Sequence, residues 1–274
     1  MIKKLEIPIR EFVYFDREKV EDFVSSIQGG LPEKRSQVKS KKSGSFDVGI
    51  KAWFLNLGRR GGTKELTWEE IQSETNASLF EWLHNLLDKK EAIIHMEDFN
   101  ETAWGQTEEG EFIEFQGRIE FSALEKLFDT ISSLITFIQT FSPAQFKTPD
   151  AQNIVNLVQL YKKKSYNVRI LPLGAPTDKY TFVASLPEEK TRTSKDELAE
   201  NYTVFGRVKK KLGERENYEL FNLLPEGITL PKNQIQSFIE SFKSMPPELG
   251  APPRIGDLVV NYPAIILTPI AIYR

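Results

Sequence analysis

Apolar residues recur along this chain with two different periods, and each change of period marks the start of a predicted element. Residues 9–15 (IREFVYF) are rich in β-branched and aromatic types and predict a strand. Asp16 follows and can cap a helix whose apolar residues are spaced i, i+3, i+4 and i+7, namely Val20, Phe23, Val24 and Ile27. The chain is therefore expected to open with a strand and a helix.

Two longer helices are predicted further along the first half of the chain. A capping box at Thr67 and Glu70 precedes a leucine-rich stripe and predicts one or two helices over 68–89. A second capping box, Ser122 and Glu125, opens the most regular helical pattern, with apolar positions at Leu124, Leu127, Phe128, Ile131, Leu134, Ile135 and Ile138. The second of these helices is expected to belong to the core.

Strand patterns fill most of the remaining chain. In the first half they cover 92–96 and 111–121. In the second half they are YNVRILPL, KYTFVASL, YTVFGRVKKKL and the closing AIILTPIAIYR, with further helices predicted over 150–161 and 231–244. Strands and helices do not alternate regularly, which favours an α+β fold of mixed sheets packed with helices over a doubly wound sheet.

The clearest candidate for a domain boundary is the segment 142–150 (SPAQFKTPD), which combines two prolines with polar residues. A chain of 274 residues suits either one large domain or two modest ones. We therefore predict an N-terminal α+β domain over 1–141 and a C-terminal α+β domain over 150–274 that can fold alone or nearly so. A single interlocked domain is the alternative.

The composition limits the chemistry and the location of the protein. The chain is 40% hydrophobic and 27% charged, the balance of a protein that buries a core, and it has no cysteine. The lack of cysteine excludes disulfides, a thiolate nucleophile and cysteine-based metal sites. The N-terminus lacks the apolar region of a signal peptide, and the apolar stretch 262–273 contains two prolines and falls short of the roughly 20 residues of a spanning helix. We expect a cytoplasmic protein whose only membrane contact would be peripheral.

The most distinctive feature of the sequence is the Gly-rich segment 29–64, which we call the basic segment. It holds nine lysines and arginines against two acidic residues, a net charge of +7 in a chain whose total is −3. Its basic flanks and aromatic centre can contact an anionic membrane surface, nucleic acid or an acidic protein. The predicted partner-binding residues are Lys39, Lys41, Lys42, Lys51, Trp53, Phe54, Arg59 and Arg60. The competing interpretation is a solvated loop that ends in a buried strand.

Two shorter basic runs occur in the second half of the chain. Lys162 to Lys164 follow a predicted helix, where the helix dipole favours cations. Lys209 to Lys211 lie in a predicted strand and resemble the lysines that protect an edge strand as much as they resemble a phosphate-binding surface.

The sequence contains none of the familiar catalytic motifs. The glycine pairs at 29–30 and 61–62 fit neither a P-loop nor a dinucleotide fingerprint, and no G-x-S-x-G elbow occurs. His84 and His95 lie on separate predicted elements without a partner at metal-ligand spacing, so both are predicted to be packing or surface residues. No catalytic residue, metal site or cofactor is therefore predicted.

Two classes of function remain open. The first hypothesis is a non-enzymatic binding or regulatory protein that contacts an anionic surface or partner through the basic segment. The alternative is a metal-dependent enzyme that uses carboxylates of the acidic loop 97–111, in a bacterial defence or stress pathway. Stabilisation by an added metal ion would favour the enzyme, because a ligand that binds only the folded state raises its stability.

Three segments of the sequence together resemble a family of bacterial proteins that has no assigned activity. They are the opening REFVYFDREKVEDFVSSIQGGL, the pair TFVASL and YTVFGRVKKKL, and the ending PAIILTPIAIYR. Members are similar in their strand–Asp–helix start, Gly-rich insertion and closing strand. The resemblance implies a bacterial, cytoplasmic setting and assigns no catalytic or binding residue.

Overall fold

The structure is a computed structural model that describes residues 10–27, 75–97, 99–141, 165–175, 179–223 and 255–274. The helices in these ranges are α1 (Arg17–Ile27), α2 (Asn76–Lys89), α3 (Glu101–Gln106), α4 (Ala123–Phe141) and α5 (Lys195–Leu198). The strands are β1 (Phe12–Phe15), β2 (Ile93–Met96), β3 (Phe112–Phe121), β4 (Ser165–Pro172), β5 (Thr181–Pro187), β6 (Asn201–Lys211), β7 (Asn217–Glu219), β8 (Val259–Asn261) and β9 (Ala264–Tyr273).

The starts of the first two helices show how local sequence fixes the elements. Asp16 caps α1 as predicted, because its Oδ1 accepts the backbone N–H of Lys19 at 3.2 Å. Helix α2 is capped by Thr75, whose Oγ1 accepts the backbone N–H of Ser78 at 3.2 Å. The predicted capping box at Thr67 lies outside the described residues, as do the helices predicted over 150–161 and 231–244.

The start of α4 differs in part from its predicted capping box. Ser122 Oγ accepts the backbone N–H of Glu125 at 3.2 Å, which is one half of the motif. The backbone N–H of Ser122 donates instead to the carbonyl of Asn167, and the Glu125 carboxylate accepts the backbone N–H of Asn167 at 3.1 Å. The helix start is thereby joined to β4. Across the described ranges, no helix combines the length and apolarity that crossing a membrane requires.

Five strands pair in a closed ring. β3 pairs antiparallel with β4 and with β6, β4 pairs antiparallel with β5, β5 pairs parallel with β9, and β9 pairs antiparallel with β6. A path along the ladders from β3 through β4, β5, β9 and β6 therefore returns to β3, so the five strands form a barrel. β1 extends the sheet beside β9, and β2 adds a parallel strand beside β3. The predicted mixed sheet packed with helices is confirmed.

The order of the strands around the barrel defines its fold. Numbered by their sequence in the chain, the five strands run 1-2-3-5-4 and close on 1, and the third and fifth are the parallel pair. Helix α5 lies between the third and fourth strands, and its Leu198 packs with the apolar cluster of the barrel. A five-stranded Greek-key barrel with this connectivity is an oligonucleotide/oligosaccharide-binding barrel, or OB fold.

Alternate residues of all five barrel strands meet in one apolar cluster. The residues are Ile113, Phe115 and Ile119 of β3, Val168 and Ile170 of β4, Phe182, Ala184 and Leu186 of β5, Tyr202, Val204 and Val208 of β6, and Ile265, Leu267 and Ile272 of β9. A face that every strand of a closed ring shares is its interior. The alternation of apolar and other residues along these strands therefore corresponds to side chains that point into and out of the barrel.

The first barrel strand changes partner at Gly117. Residues 112–118 pair with β6, whereas residues 117–121 pair with β4. A Cβ atom at Gly117 would lie 2.7 Å from Cγ2 of Ile170 and 3.2 Å from the carbonyl oxygen of Leu171. A glycine suits this position because the Ile170 side chain and the backbone of β4 together leave too little room for a Cβ atom.

Two further apolar clusters cover the outside of the barrel. Phe112, Phe205 and Tyr273, which point outward from three strands, pack with helices α1 and α2. Val183 and Ile266 pack with α4 and with the chain that leads into β9. The helices thus lie on two sides of one barrel.

Strands from both predicted domains build this barrel. β3 precedes the predicted boundary, and both of its barrel neighbours, β4 and β6, follow it. β1 likewise pairs with β9. Strands on both sides of the predicted boundary thus belong to one sheet. The segment 142–150 itself lies outside the described residues, and the division into domains stays a prediction.

Candidate functional site

The residues predicted to bind a partner all fall outside the described residues. They are Lys39, Lys41, Lys42, Lys51, Trp53, Phe54, Arg59 and Arg60, and the structure describes nothing between Ile27 and Thr75. Their grouping into one binding surface stays a prediction.

The helices on either side of the basic segment pack against each other. Val20 and Phe23 of α1 share an apolar cluster with Leu79 of α2. At the starts of the two helices, Arg17 Nη1 donates to Asn76 Oδ1 at 3.0 Å. In the sequence, the basic segment therefore lies between two helices that pack against each other on the barrel.

A polar cluster lies where α2 meets β2 and β3, and we call it the histidine–carboxylate cluster. Its members are His84, Asp88, His95 and Glu114. His84 Nε2 contacts Glu114 Oε2, His95 Nε2 lies 2.8 Å from Asp88 Oδ1, and His95 Nδ1 lies 3.8 Å from Glu114 Oε1. The two imidazole rings are 6.0 Å apart between centroids.

The fold brings these four side chains together in two ways. His84 and Asp88 are one helical turn apart on α2 and so share a face of the helix. His95 and Glu114 are register partners in the parallel pair β2–β3 and therefore lie side by side on one face of the sheet. The sequence shows the first relation but not the second, because register depends on long-range pairing.

The electrostatics of the histidine–carboxylate cluster centre on Glu114. Burial acts to raise the pKa of this carboxyl, but the hydrogen bond and charge of His84, together with His95, outweigh it and lower the pKa below its usual range. Tyr273 lies beside Glu114, and burial together with the carboxylate charge raises the pKa of its phenol. The cluster therefore keeps Glu114 ionised and Tyr273 protonated.

The contacts of this cluster make it a polar joint between helix α2 and strands β2 and β3. Both ring nitrogens of His95 face carboxylate oxygens, Nε2 at 2.8 Å from Asp88 and Nδ1 at 3.8 Å from Glu114, while the side chain itself is exposed. His84 packs on the rings of Phe80 and Phe205, at centroid distances of 5.4 and 5.6 Å. In the part of the chain that the structure describes, no three His, Cys, Asp or Glu side chains are grouped so that they could hold a metal ion.

The carboxylates of the acidic loop 97–111 have separate partners. Glu101 pairs with Lys179 at 2.6 Å, and Glu109 Oε1 accepts the backbone N–H of Lys211 at 3.2 Å. Glu111 accepts the backbone N–H of Glu108 at 2.7 Å. These contacts give these three carboxylates three different partners, and the metal-dependent alternative stays a prediction. Asp98 lies outside the described residues.

The second basic run, Lys209 to Lys211, lies at the end of β6. This end pairs with β9 as far as Lys211, whereas the pairing of β6 with β3 ends at Arg207, so one side of the strand has no strand neighbour here among the described residues. Lys211 Nζ donates to the carbonyls of Trp104 and Thr107 and lies 4.8 Å from the centroid of the Trp104 ring. Lys210 lies 3.3 Å from Glu216, which leaves Lys209 as the exposed member of the run.

The fold and the described polar groups define an α+β protein built on a closed OB-type barrel, with helices joined to it by buried ion pairs. The chain belongs to the family of the domain of unknown function DUF6414, whose sequence model matches residues 9–273. The resemblance to a family without an assigned activity is thereby confirmed. No curated protein and no solved structure gives a significant match.

Proposed function

We propose that this protein is a non-enzymatic binding protein that holds single-stranded nucleic acid, with the basic segment supplying contacts to phosphates. The observation that carries the choice of partner is the connectivity of the barrel. The proposal also rests on the charge of the basic segment, which is independent of the barrel.

The charge of the basic segment supports a polyanionic partner. A net charge of +7 within residues 29–64 of a chain with a total of −3 creates a local positive potential. Phosphate chains attract such a segment because binding releases their condensed counterions. Trp53 and Phe54 add aromatic faces on which bases can stack, a contribution of about 1–3 kcal/mol per base.

The barrel supports one of the three anionic partners that the charge alone leaves open. OB barrels bind oligonucleotides or oligosaccharides, which is an argument by analogy of fold. An anionic membrane surface and an acidic protein meet the charge requirement but have no comparable support from the barrel. Nucleic acid is the partner on which the charge and the fold agree.

The test is a binding titration of the full chain with labelled single-stranded DNA and RNA at low and at physiological salt. We expect binding that weakens as salt rises. Charge reversal at Lys39, Lys41 and Lys42 should lower both the affinity and its salt dependence, whereas alanine at Trp53 and Phe54 should lower affinity with the salt dependence unchanged. The matched control reverses three exposed lysines elsewhere, Lys89, Lys126 and Lys209.

Other outcomes of this titration would overturn the proposal. Co-sedimentation with anionic vesicles, without binding to nucleic acid, would make the membrane surface the partner. Equal loss of affinity in the control variant would mean that total charge, rather than the basic segment, is responsible. Stabilisation of the chain by a divalent cation would favour the metal-dependent enzyme.

A further inference from the structure

Arg169 is a barrel arginine whose donors are largely unused. Its neighbours Val168 and Ile170 point into the barrel, so Arg169 points outward from β4. Its Nη2 lies 3.4 Å from Thr181 Oγ1 on the neighbouring strand β5, and its Nε is buried without a hydrogen-bond partner.

The acidic residue nearest to Arg169 in the sheet is bound by another arginine. Glu120 of β3 is its register partner, but the Glu120 carboxylate is bound by Arg118. Among the described residues, no ion pair involves Arg169. The side chain is partly exposed, so its charge can reach a ligand at the surface.

A second unsatisfied group lies on the same face of the same strand. Ser165 is four residues before Arg169 and 6% exposed, and its Oγ has no hydrogen-bond partner. Buried polar groups in native proteins are nearly always paired, so the unpaired Nε of Arg169 and Oγ of Ser165 need an explanation. A bound ligand that accepts hydrogen bonds would provide one.

The shape of the donors indicates the chemistry of this ligand. The planar guanidinium presents Nε and an Nη as a two-pronged fork, which matches two oxygens of a phosphate. The hydroxyls of Thr181 and Ser165 add further donors along the strand pair. Val183 on β5 is covered by the α4 cluster, which confines the site to a strip along β4.

We propose that this strip, formed by Arg169, Thr181 and Ser165, binds phosphate groups of the nucleic-acid strand. The inference rests on the proposed function and adds a contact on the barrel that is separate from the basic segment. The strip lies on the second and third barrel strands, the face through which OB barrels take their ligands, and this analogy supports the assignment.

The first experiment measures single-stranded DNA binding by Arg169→Lys and Arg169→Met in the full chain. Lysine keeps the charge but loses the fork, so we expect a fall in affinity for Arg169→Lys and a larger fall, about tenfold, for Arg169→Met. The salt slope of Arg169→Met should also decrease by about one phosphate contact, which a structural defect would not produce. The exposed Arg215 provides the matched control pair, Arg215→Lys and Arg215→Met.

The second experiment uses inorganic pyrophosphate as the probe and does not depend on the basic segment. Phenylglyoxal modifies arginines, and mass spectrometry can follow Arg169 and Arg215 in the wild-type chain. We expect pyrophosphate to protect Arg169 and to leave Arg215 unprotected. Failure of DNA binding with this protection intact would overturn the proposed function and the nucleic-acid ligand of the strip, and would leave only a phosphate-binding site at Arg169. Normal DNA binding by Arg169→Met, with no protection of Arg169, would overturn the strip alone.

Discussion

His84 and His95, the two histidines of the chain, contact opposite oxygens of one carboxylate, that of Glu114. His84 comes from helix α2 and His95 from strand β2, while Glu114 belongs to the first strand of the barrel. The carboxylate therefore joins a helix that borders the basic segment to the barrel wall. Buried charges of this kind are costly to leave unpaired.

Glu114→Gln should destabilise the protein in a pH-dependent way. The pKa of Glu114 is lower in the folded protein than its ordinary value, so the ionised carboxylate stabilises the fold at pH values above about 4.3. That stabilisation is lost as the pH falls through the folded value. We expect a loss of about 1.5–3 kcal/mol near pH 6 that shrinks toward pH 3.5.

Urea denaturation of wild type and Glu114→Gln across this pH range is the measurement. Glu97→Gln, at an exposed glutamate just after β2, is the control and should change little at any pH. A constant difference between wild type and Glu114→Gln would show that altered hydrogen bonding with His84, rather than loss of the carboxylate charge, is responsible.

Lys190→Met should destabilise the joint between α1 and the chain that follows β5. Asp16 is fully buried, and its carboxylate lies 2.8 Å from Lys190 Nζ and 2.9 Å from Lys19 Nζ. Burial acts to raise the pKa of Asp16, but the two lysines outweigh it and lower the pKa. Removing one partner should cost about 3 kcal/mol in chemical denaturation.

The matched control for this change is Lys209→Met, at an exposed lysine of β6. It removes the same charge and adds the same side chain without breaking a buried pair, so its effect should stay within about 0.5 kcal/mol. Similar losses in the two variants would mean that the Asp16 pair contributes nothing specific.

Gly117→Ala should destabilise the barrel. The added methyl group would lie 2.7 Å from Cγ2 of Ile170, and the carbonyl of Leu171 prevents it from moving away. Overpacking of this kind costs about 1–3 kcal/mol. In Gly105→Ala, the methyl group meets nothing within 4 Å and lies in helix α3, so thermal unfolding should show an unchanged or slightly higher midpoint. Equal midpoints in the two variants would contradict the close approach of β4.

A fragment of residues 150–274 should not unfold cooperatively by itself. It lacks β3, which separates β4 from β6 in the barrel, and both strands would expose an open edge without it. Co-expression with residues 1–149 should restore a cooperative transition, because the missing strand returns. A sharp thermal transition of the fragment alone would instead support two separate domains.

Local patterns predicted the elements, whereas the closure of the sheet depends on pairings between distant residues. The Asp16 cap and the alternation along 201–211 and 264–273 were visible in the sequence, because each depends on neighbours in the chain. Closure depends on one strand having two partners, and nothing in residues 112–121 reveals that β6 takes the first part and β4 the second. The strands of a barrel and those of an open sheet have the same alternating pattern of apolar and polar residues, so the sequence does not distinguish them.

The polar contacts were also predictable from the sequence only where they join residues close together in the chain. The spacing of His84 and Asp88 predicts that they lie one helical turn apart. The position of Glu114 beside His95 could not be predicted, because it depends on the register of β2 with β3. Arg169 is likewise one charged residue in a strand pattern until the structure shows that its register partner, Glu120, is bound by Arg118. The spacing of residues along the chain shows which side chains lie near each other on one helix or strand. Hydrogen-bond donors without a partner can be identified only in the folded structure, where every partner is known.

The place of β9 in the chain has a consequence for biosynthesis. β9 is translated after β1, β5 and β6, and it pairs with all three of them. Until residues 264–273 emerge from the ribosome, β1, β5 and β6 each have an edge that lacks its β9 partner, and the barrel cannot close. Folding of the barrel must therefore follow translation of this segment, and a ribosome that stalls before Ala264 would release a chain with aggregation-prone edges.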